Sequence, residues 1–452
     1  MFEELMTLLE NKEYVKLRST LSEMSAPDIA LMFEEIPMEY LPRLFRFLPK
    51  ELAADTFVEM DSATQEYLII SFSDKELHDV LDEMFLDDTV DIIEEMPANV
   101  VKRILRQSDP ETRSEINKIL RYPKDSAGSI MTIEYVNLKK DMTVEQAFSR
   151  IRATGVDKET IYTCYVTDAN RHLIGITTVK DLLLCKTDAT IEEMMETNVK
   201  YVDTFEDKEE VARLFRKYDF LAMPVVDKET RLVGIITIDD VIDVIQEEHT
   251  EDIEKMAAIT PSERPYLKTS AWEIFKNRIP WLLLLMLSST FTGKIISSFE
   301  ETLAVCVALT AFIPMLMGTG GNSGGQASVT IIRGISLGDV GMKDIFKILG
   351  KELAVSLLCG ITLAVVNFGK MMLIDQSAII ASGQNPVMVS LVVSLTLIVT
   401  VVCAKIVGSS LPILVKQFGF DPAVMASPFV TTIVDAISLI IYFQIAVHIL
   451  NF

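Results

Sequence analysis

The chain has 452 residues, 42 Lys and Arg against 65 Asp and Glu, a net charge of −23 and 49% hydrophobic residues. That length exceeds what one hydrophobic core supports, and the acidic balance argues against nucleic-acid binding, which needs clustered Lys and Arg to neutralise phosphates. The charge is unevenly spread: residues 271–452 carry 10 Lys and Arg against 9 Asp and Glu, while residues 1–270 carry 32 against 56. Only the later part suits a bilayer, where a spanning helix needs about 20 largely apolar residues.

Cys164, Cys185, Cys306, Cys359 and Cys403 are scattered without a CxxC pair, and His78, His172, His249 and His448 are equally dispersed. Reduced thiols follow, and a histidine-based metal cage does not. The start, MFEELMTLLENKEY, is acidic and lacks the basic and apolar regions of a secretory signal, so the front half is expected in the cytosol.

Residues 1–125 read as an all-α domain of short amphipathic helices at 28–37, 51–60, 77–97 and 100–109, with apolar residues at i, i+3 and i+4 and Pro or Asp at their ends. A helical superhelix is expected. Its many carboxylates are either a solvated face or a surface for cations.

An internal repeat follows, best seen as GITTVKDLL (175–183) against GIITIDDVI (234–242), 59 residues apart. Each copy follows an apolar run and a turn, and each leads into a helix, giving α+β modules at 126–187 and 188–248. The hydroxyl and carboxylate of Thr178 with Asp181, and of Thr237 with Asp240, stand where they can cap the helix that follows.

Residues 249–275 form a connecting helix in this reading. Asp239, Asp240, Asp243, Glu247, Glu248, Glu251, Asp252 and Glu254 crowd the approach to it. At helical spacing such carboxylates repel, and either solvation or a divalent cation held by oxygen ligands relieves them.

Residues 276–452 contain apolar stretches at 278–298, 304–332, 351–374, 386–414 and 424–450, expected as a five-helix transmembrane domain. Basic flanks at Lys276 and Arg278, at Arg333, Lys343, Lys347 and Lys351, and at Lys416 mark the cytoplasmic side, which places the C-terminus outside. Asp435 falls midway along the last span without a cation at i±3 or i±4. An unpaired carboxylate there costs at least about 2.5–3.5 kcal/mol, so it faces a wet path or a bound cation, or else pairs with Lys405. The second span is punctuated by Pro314 and by the glycines of MGTGGNSGGQ, with Asn322 and Gln326 on one helical face. Glycine there serves close helix packing, with the two amides bonding across helices, or a broken helix lining a path. Gly408, Ser409, Ser410 and Pro412 repeat the theme more weakly.

The repeat resembles a pair of CBS domains, in which the Thr and Asp hold an adenosine ribose. With GNSGGQAS and IIRG in the second span and DPAVMASPFVTTIVDAISLIIYF across the fifth, the whole chain resembles the MgtE family of bacterial magnesium channels. The resemblance implies a multidomain homodimer in the cell membrane, with magnesium (Mg2+) as cargo and regulator and with ATP as a candidate ligand of the CBS pair. By that resemblance Asp435 binds the hydrated ion, and Gly321, Asn322, Gly325, Gln326, Ser427 and Thr431 line the path. The connecting helix becomes a plug that closes the pore when cytosolic magnesium is high. Regulatory ions are then expected among Glu59, Asp88, Asp91, Asp227, Asp243, Glu247, Glu248, Glu251 and Asp252, with Asp421 shared between the membrane domain and the gating parts. The rival readings are a divalent-cation carrier coupled to protons or sodium, and a membrane-anchored nucleotide sensor. No nucleophile elbow, P-loop, HExxH or kinase signature suggests an enzyme.

Overall fold

The computed structural model describes residues 2–262, 266–267, 269–425 and 427–450. The chain divides into two compact units, residues 1–245 and 246–452.

The first unit opens with short helices running from Phe2–Glu10 to Pro110–Ile119. Local chemistry sets their limits. Asp61 accepts from the Ala63 and Thr64 amides to start Ser62–Ser71, Ser73 and Glu76 form a reciprocal cap on Asp74–Leu81, and Asp109 caps Pro110–Ile119. The stretch expected as one helix over 77–97 is two, Asp74–Leu81 and Leu86–Glu95, because Phe85 is extended (φ −71°, ψ 159°). Alternate helices stack, Ala26–Glu34 on Lys50–Val58, that on Asp74–Leu81, and that on Ala98–Gln107. Such n to n+2 stacking winds into a superhelix around one core that includes Leu17, Phe33, Leu44, Phe57, Leu68, Val90 and Ile104.

The repeat folds as two three-stranded sheets, β1 (Tyr135–Lys139), β2 (Thr160–Thr167) and β3 (Leu173–Thr178), then β4 (Val202–Asp203), β5 (Ala222–Val226) and β6 (Leu232–Thr237). In each, the first pair is parallel and the second antiparallel. The two β-hairpins turn alike: Asp168 accepts from the amides of Asn170 and His172, and Asp227 from those of Glu229 and Arg231. The copies interleave. Thr132, just ahead of β1, pairs with Ile235 of the second, and Glu196, just ahead of β4, pairs with Ile176 of the first. This crossing explains the glycine that opens each repeated motif. A Cβ at Gly175 would stand 3.1 Å from the Glu196 carbonyl oxygen, and one at Gly234 would stand 2.8 Å from that of Thr132.

Helix α1 (Ile238–Met256) begins at the end of the second copy, so residues 249–275 are not a helix of their own. Ala258 in the left-handed region (φ 55°) follows its end, and Ser270 caps the next helix by accepting from the Glu273 amide.

In the second unit the long helices are α2 (Ala271–Ser298), α3 (Ile313–Ser336), α4 (Ile345–Lys370), α5 (Pro386–Gln417) and α6 (Ser427–Leu450). Helix α4 continues through a π-type turn at Met371–Asp375 to Ala381. The stretch expected over 304–332 breaks at Cys306 (φ −133°, ψ 78°), and α3 restarts at Ile313, where Pro314 suits a first turn that lacks amide acceptors. α3 packs on α5 and α6, α4 on α5, and α2 on α6. Leu316, Val392, Leu439, Tyr442 and Phe443 are buried where they meet. Leu283, Met286 and Phe291 on α2 and Leu358, Val365 and Val366 on α4 point outward, as hydrocarbon requires. Four of these helices are long and apolar enough to cross a membrane, those of 271–298, 342–381, 386–417 and 428–450. The glycine-rich α3 is the more polar exception.

Candidate functional site

The glycine segment is helical throughout, and it uses its glycines for contact. A Cβ at Gly320 would stand 2.8 Å from Thr400 of α5 and 2.9 Å from Val434 of α6, and one at Gly321 would stand 2.7 Å from Thr431 Cγ2. A Cβ at Gly408 would stand 2.2 Å from the Gly324 carbonyl oxygen, so α3 and α5 touch backbone to backbone. Close packing is therefore the role of these glycines, and the broken-helix alternative is not realised. Gly325 is also buried, whereas Pro314, Gly318, Asn322 and Gln326, spaced by four, are exposed along one face of α3. The two amides thus face out of the chain's own bundle.

On α6, Ser427, Thr431 and Asp435 recur every four residues and share a stripe. The Ser427 side chain lies outside the described residues. Thr431 and Asp435 are half-buried, and Asp435 Oδ1 is buried with no hydrogen-bond partner among the described residues. Lys405, the alternative partner of Asp435, instead pairs with Glu352 at 3.8 Å.

The first unit holds an acidic cluster. Carboxylate oxygens of Asp87, Glu134 and Glu159 lie within 4.8 Å of one another. They come from the helix Leu86–Glu95 and from the residues just before β1 and β2 of the first repeat copy, and the Leu86 amide donates to Glu134 Oε2. Burial, then the charges of Asp240, Asp239 and Glu134, push Asp88 up to about 7. Burial, then Asp87, Asp239 and Asp240, push Glu159 up to about 8. Asp87 and Asp240 are raised for the same reasons, burial first. Asp91, on the exposed rim, faces Asp240, Asp87, Asp88 and Glu94. Oxygen-only donors that repel one another in a half-dry place fit a hard divalent cation.

The Thr and Asp pairs differ between copies. Thr178 and Asp181 form an exposed reciprocal cap, with Oγ1 donating to Oδ2 at 2.5 Å. Thr237 donates to Asp240 at 2.6 Å, and there the carboxylate also belongs to the acidic cluster. Capping is thus realised in the first copy, where the pair is exposed.

At the far end of α1, Lys255 bonds both Glu251 and Asp421, the latter at 2.7 Å. Burial alone would lower the Lys255 pKa, but the two carboxylates outweigh it and hold it above the ordinary lysine value. His249 meets Arg333 of α3 at 3.2 Å, and Met256 packs on Ile332 and Ala423.

Comparison with known proteins assigns residues 313–445 to the family described as MgtE, divalent cation transporter, 5–125 to the MgtE intracellular N domain, and 127–186 and 191–247 to CBS domains. The magnesium transporter MgtE of Thermus thermophilus is 35% identical over 95% of this chain and 94% of its own length. The chain belongs to the MgtE family of magnesium transporters.

The Bacillus subtilis magnesium transporter MgtE is 32% identical over 97% of this chain and 95% of its own. The crystal structure of the cytosolic domain of the Mg2+ channel MgtE in complex with ATP matches with a TM-score of 0.52 and 36% identity, covering 54% of this chain and all of that one. The MgtE family transports ions, so the chain is a membrane transporter and not an enzyme. Of the acidic residues expected at regulatory sites, Asp88 and Asp91 enter the cluster, and Asp240, expected at a nucleotide, joins them. Glu59 is exposed just beyond the end of Lys50–Val58. Asp227 turns a hairpin beside a hollow of about 390 Å3 lined by Asn170, Arg171 and Arg231. Asp243 and Glu247 are exposed on α1, and Glu248 and Asp252 are half-buried there. Asp87, Glu134 and Glu159 escape a sequence reading because three separate segments supply them. Lys255 escapes it because one lysine in an acidic run carries no signal.

Proposed function

We propose that the chain is a homodimeric, magnesium-selective channel for uptake, closed by cytosolic magnesium. The observation that carries this reading is Asp435, a carboxylate midway along a membrane helix, with an oxygen left without a hydrogen-bond partner among the described residues and with Lys405 committed elsewhere. Magnesium dehydrates reluctantly, so a path is best built from few carboxylates and many water-bonding groups. Thr431, Ser427 and the face of α3 that carries Asn322 and Gln326 supply such groups. That polar face, exposed on one chain, is poorly suited to lipid and well suited to a second copy across a wet axis. Gly320, Gly321 and Gly324 bring α3 close to α6, and Gly321 and Gly325 are assigned to the wall so formed.

The same reading counts α3 as the second of five spans, sets the C-terminus outside, and divides the chain into 1–125, 126–187, 188–248, 249–275 and 276–452. Regulatory magnesium is drawn by Asp88 and Asp91 with Asp87, Glu134, Glu159 and Asp240, and by Glu59, Asp227, Asp243, Glu247, Glu248, Glu251 and Asp252. It favours the closed form because it binds that form preferentially. Asp421 joins the end of α1 to the membrane helices through Lys255. ATP, bound by the structural relative, is assigned to Thr178 and Asp181, where ribose hydroxyls meet an open carboxylate.

The test is current through patches that hold the unmodified protein and Asp435→Ala. Reversal at the magnesium equilibrium potential, whatever the proton and sodium gradients, and loss of current in the variant support a channel. Reversal that follows protons or sodium would establish a coupled carrier instead.

A further inference from the structure

Lys405 and Glu352 form a charged pair inside the membrane helices that the ion path does not use. Lys405 is on α5 and Glu352 on α4. Their side chains are 7% and 16% exposed and 3.8 Å apart, and Glu352 Oε2 is buried with no hydrogen-bond partner among the described residues. The ammonium is therefore the group that compensates this carboxylate, and hydrocarbon tolerates neither charge alone. The residue before Lys405 touches the ion path's wall, since a Cβ at Gly324 would stand 3.1 Å from the Ala404 carbonyl oxygen and 2.8 Å from Val430 of α6. One turn on, Gly408 meets Gly324 backbone to backbone. At this level α5 is a wedge, with the charged pair on one flank and the GNSGGQ segment on the other.

We infer that the Lys405 and Glu352 pair positions the ion path: by pinning α5 to α4 it fixes the seat of α3 against α6, and so the spacing between the glycine segment and the stripe that carries Asp435. The two residues do not touch the ion. The inference rests on the reading of Asp435 as the ion's ligand.

The experiment measures initial magnesium and manganese influx into liposomes holding equal amounts of folded full-length protein. Lys405→Met and Glu352→Gln are each expected to lower magnesium influx about tenfold and to raise the manganese-to-magnesium ratio, because a displaced wall discriminates less well between hydrated ions. The exchange Lys405→Glu with Glu352→Lys is expected to restore influx to within about threefold and to restore the ratio, since paired positions are not additive. Single variants with unchanged influx and ratio would overturn the inference. So would an exchanged protein no better than the worse single variant, or one that fails to fold, because the inference asks only that opposite charges meet. Asp435→Ala separates the two ideas. If it abolishes influx while the exchange does nothing, only the positioning role fails; if it leaves influx intact, the path and the positioning role fail together.

Discussion

Gly408 shows how little room a single atom has in this bundle. A Cβ there would overlap the Gly324 carbonyl at 2.2 Å, and backbone on both sides leaves no side chain to move aside. Gly408→Ala should therefore destabilise the membrane helices by about 1–3 kcal/mol and lower magnesium flux. Gly350→Ala, where nothing lies within 4 Å, should be neutral or stabilising by up to about 1 kcal/mol. Thermal unfolding in detergent compares the two, and equal losses would refute the contact argument. The contrast also marks what residues alone disclose. Gly408 and Gly324 stood out in the sequence as small residues in apolar runs, but only their meeting separates packing from a broken helix. Asp435 was legible because hydrocarbon penalises it wherever it points. The partner of Lys405 was not, since pairing depends on which helices are neighbours.

At the scale of elements, α1 is tied to the membrane helices by charge as well as by packing. Lys255 holds Glu251 and Asp421 at one place, and His249 holds Arg333. Replacing Lys255 by Met leaves two carboxylates facing each other and should loosen this end of α1. Removing one partner of such a half-buried group costs about 1–2 kcal/mol, so the cytosolic magnesium needed for half-closure should rise about fivefold to thirtyfold. Patch recordings with stepped magnesium measure it, and an unchanged midpoint would count against Lys255 as a latch. The helices were largely readable from their period and caps; their ends were not. The split falls at the extended residue Phe85, and α1 runs through the expected boundary at 249 to end just before left-handed Ala258.

For the whole molecule, the acidic cluster should make stability depend on protons and cations together. Burial, and then the neighbouring carboxylates, push Asp88 up to about 7 and Glu159 up to about 8, above the ordinary carboxylate value of about 4. A raised carboxylate pKa means that the folded form holds the proton. Its contribution is therefore complete below about pH 4 and is lost as pH rises through about 7 to 8. Without divalent ions, protection of the Leu86–Glu95 amides, corrected for the intrinsic pH dependence of exchange, should fall across that rise; added magnesium should restore it and release protons. Protection that is flat with pH, or blind to magnesium, would remove the cluster from the regulatory account. The division into acidic helices, repeated module and apolar bundle was plain from composition, because solvent and lipid select residues in bulk. The cluster was not, because a helix of the first domain and the starts of two strands of the repeat meet only after folding.

The crossing of the two repeat copies carries a consequence for the history of this architecture. Each sheet takes a bridge from a segment outside its own copy, so half of the pair by itself would expose an unpaired strand edge and lack the piece that lies over its glycine. A lone ancestral copy could satisfy those backbone groups only by embracing another of its kind.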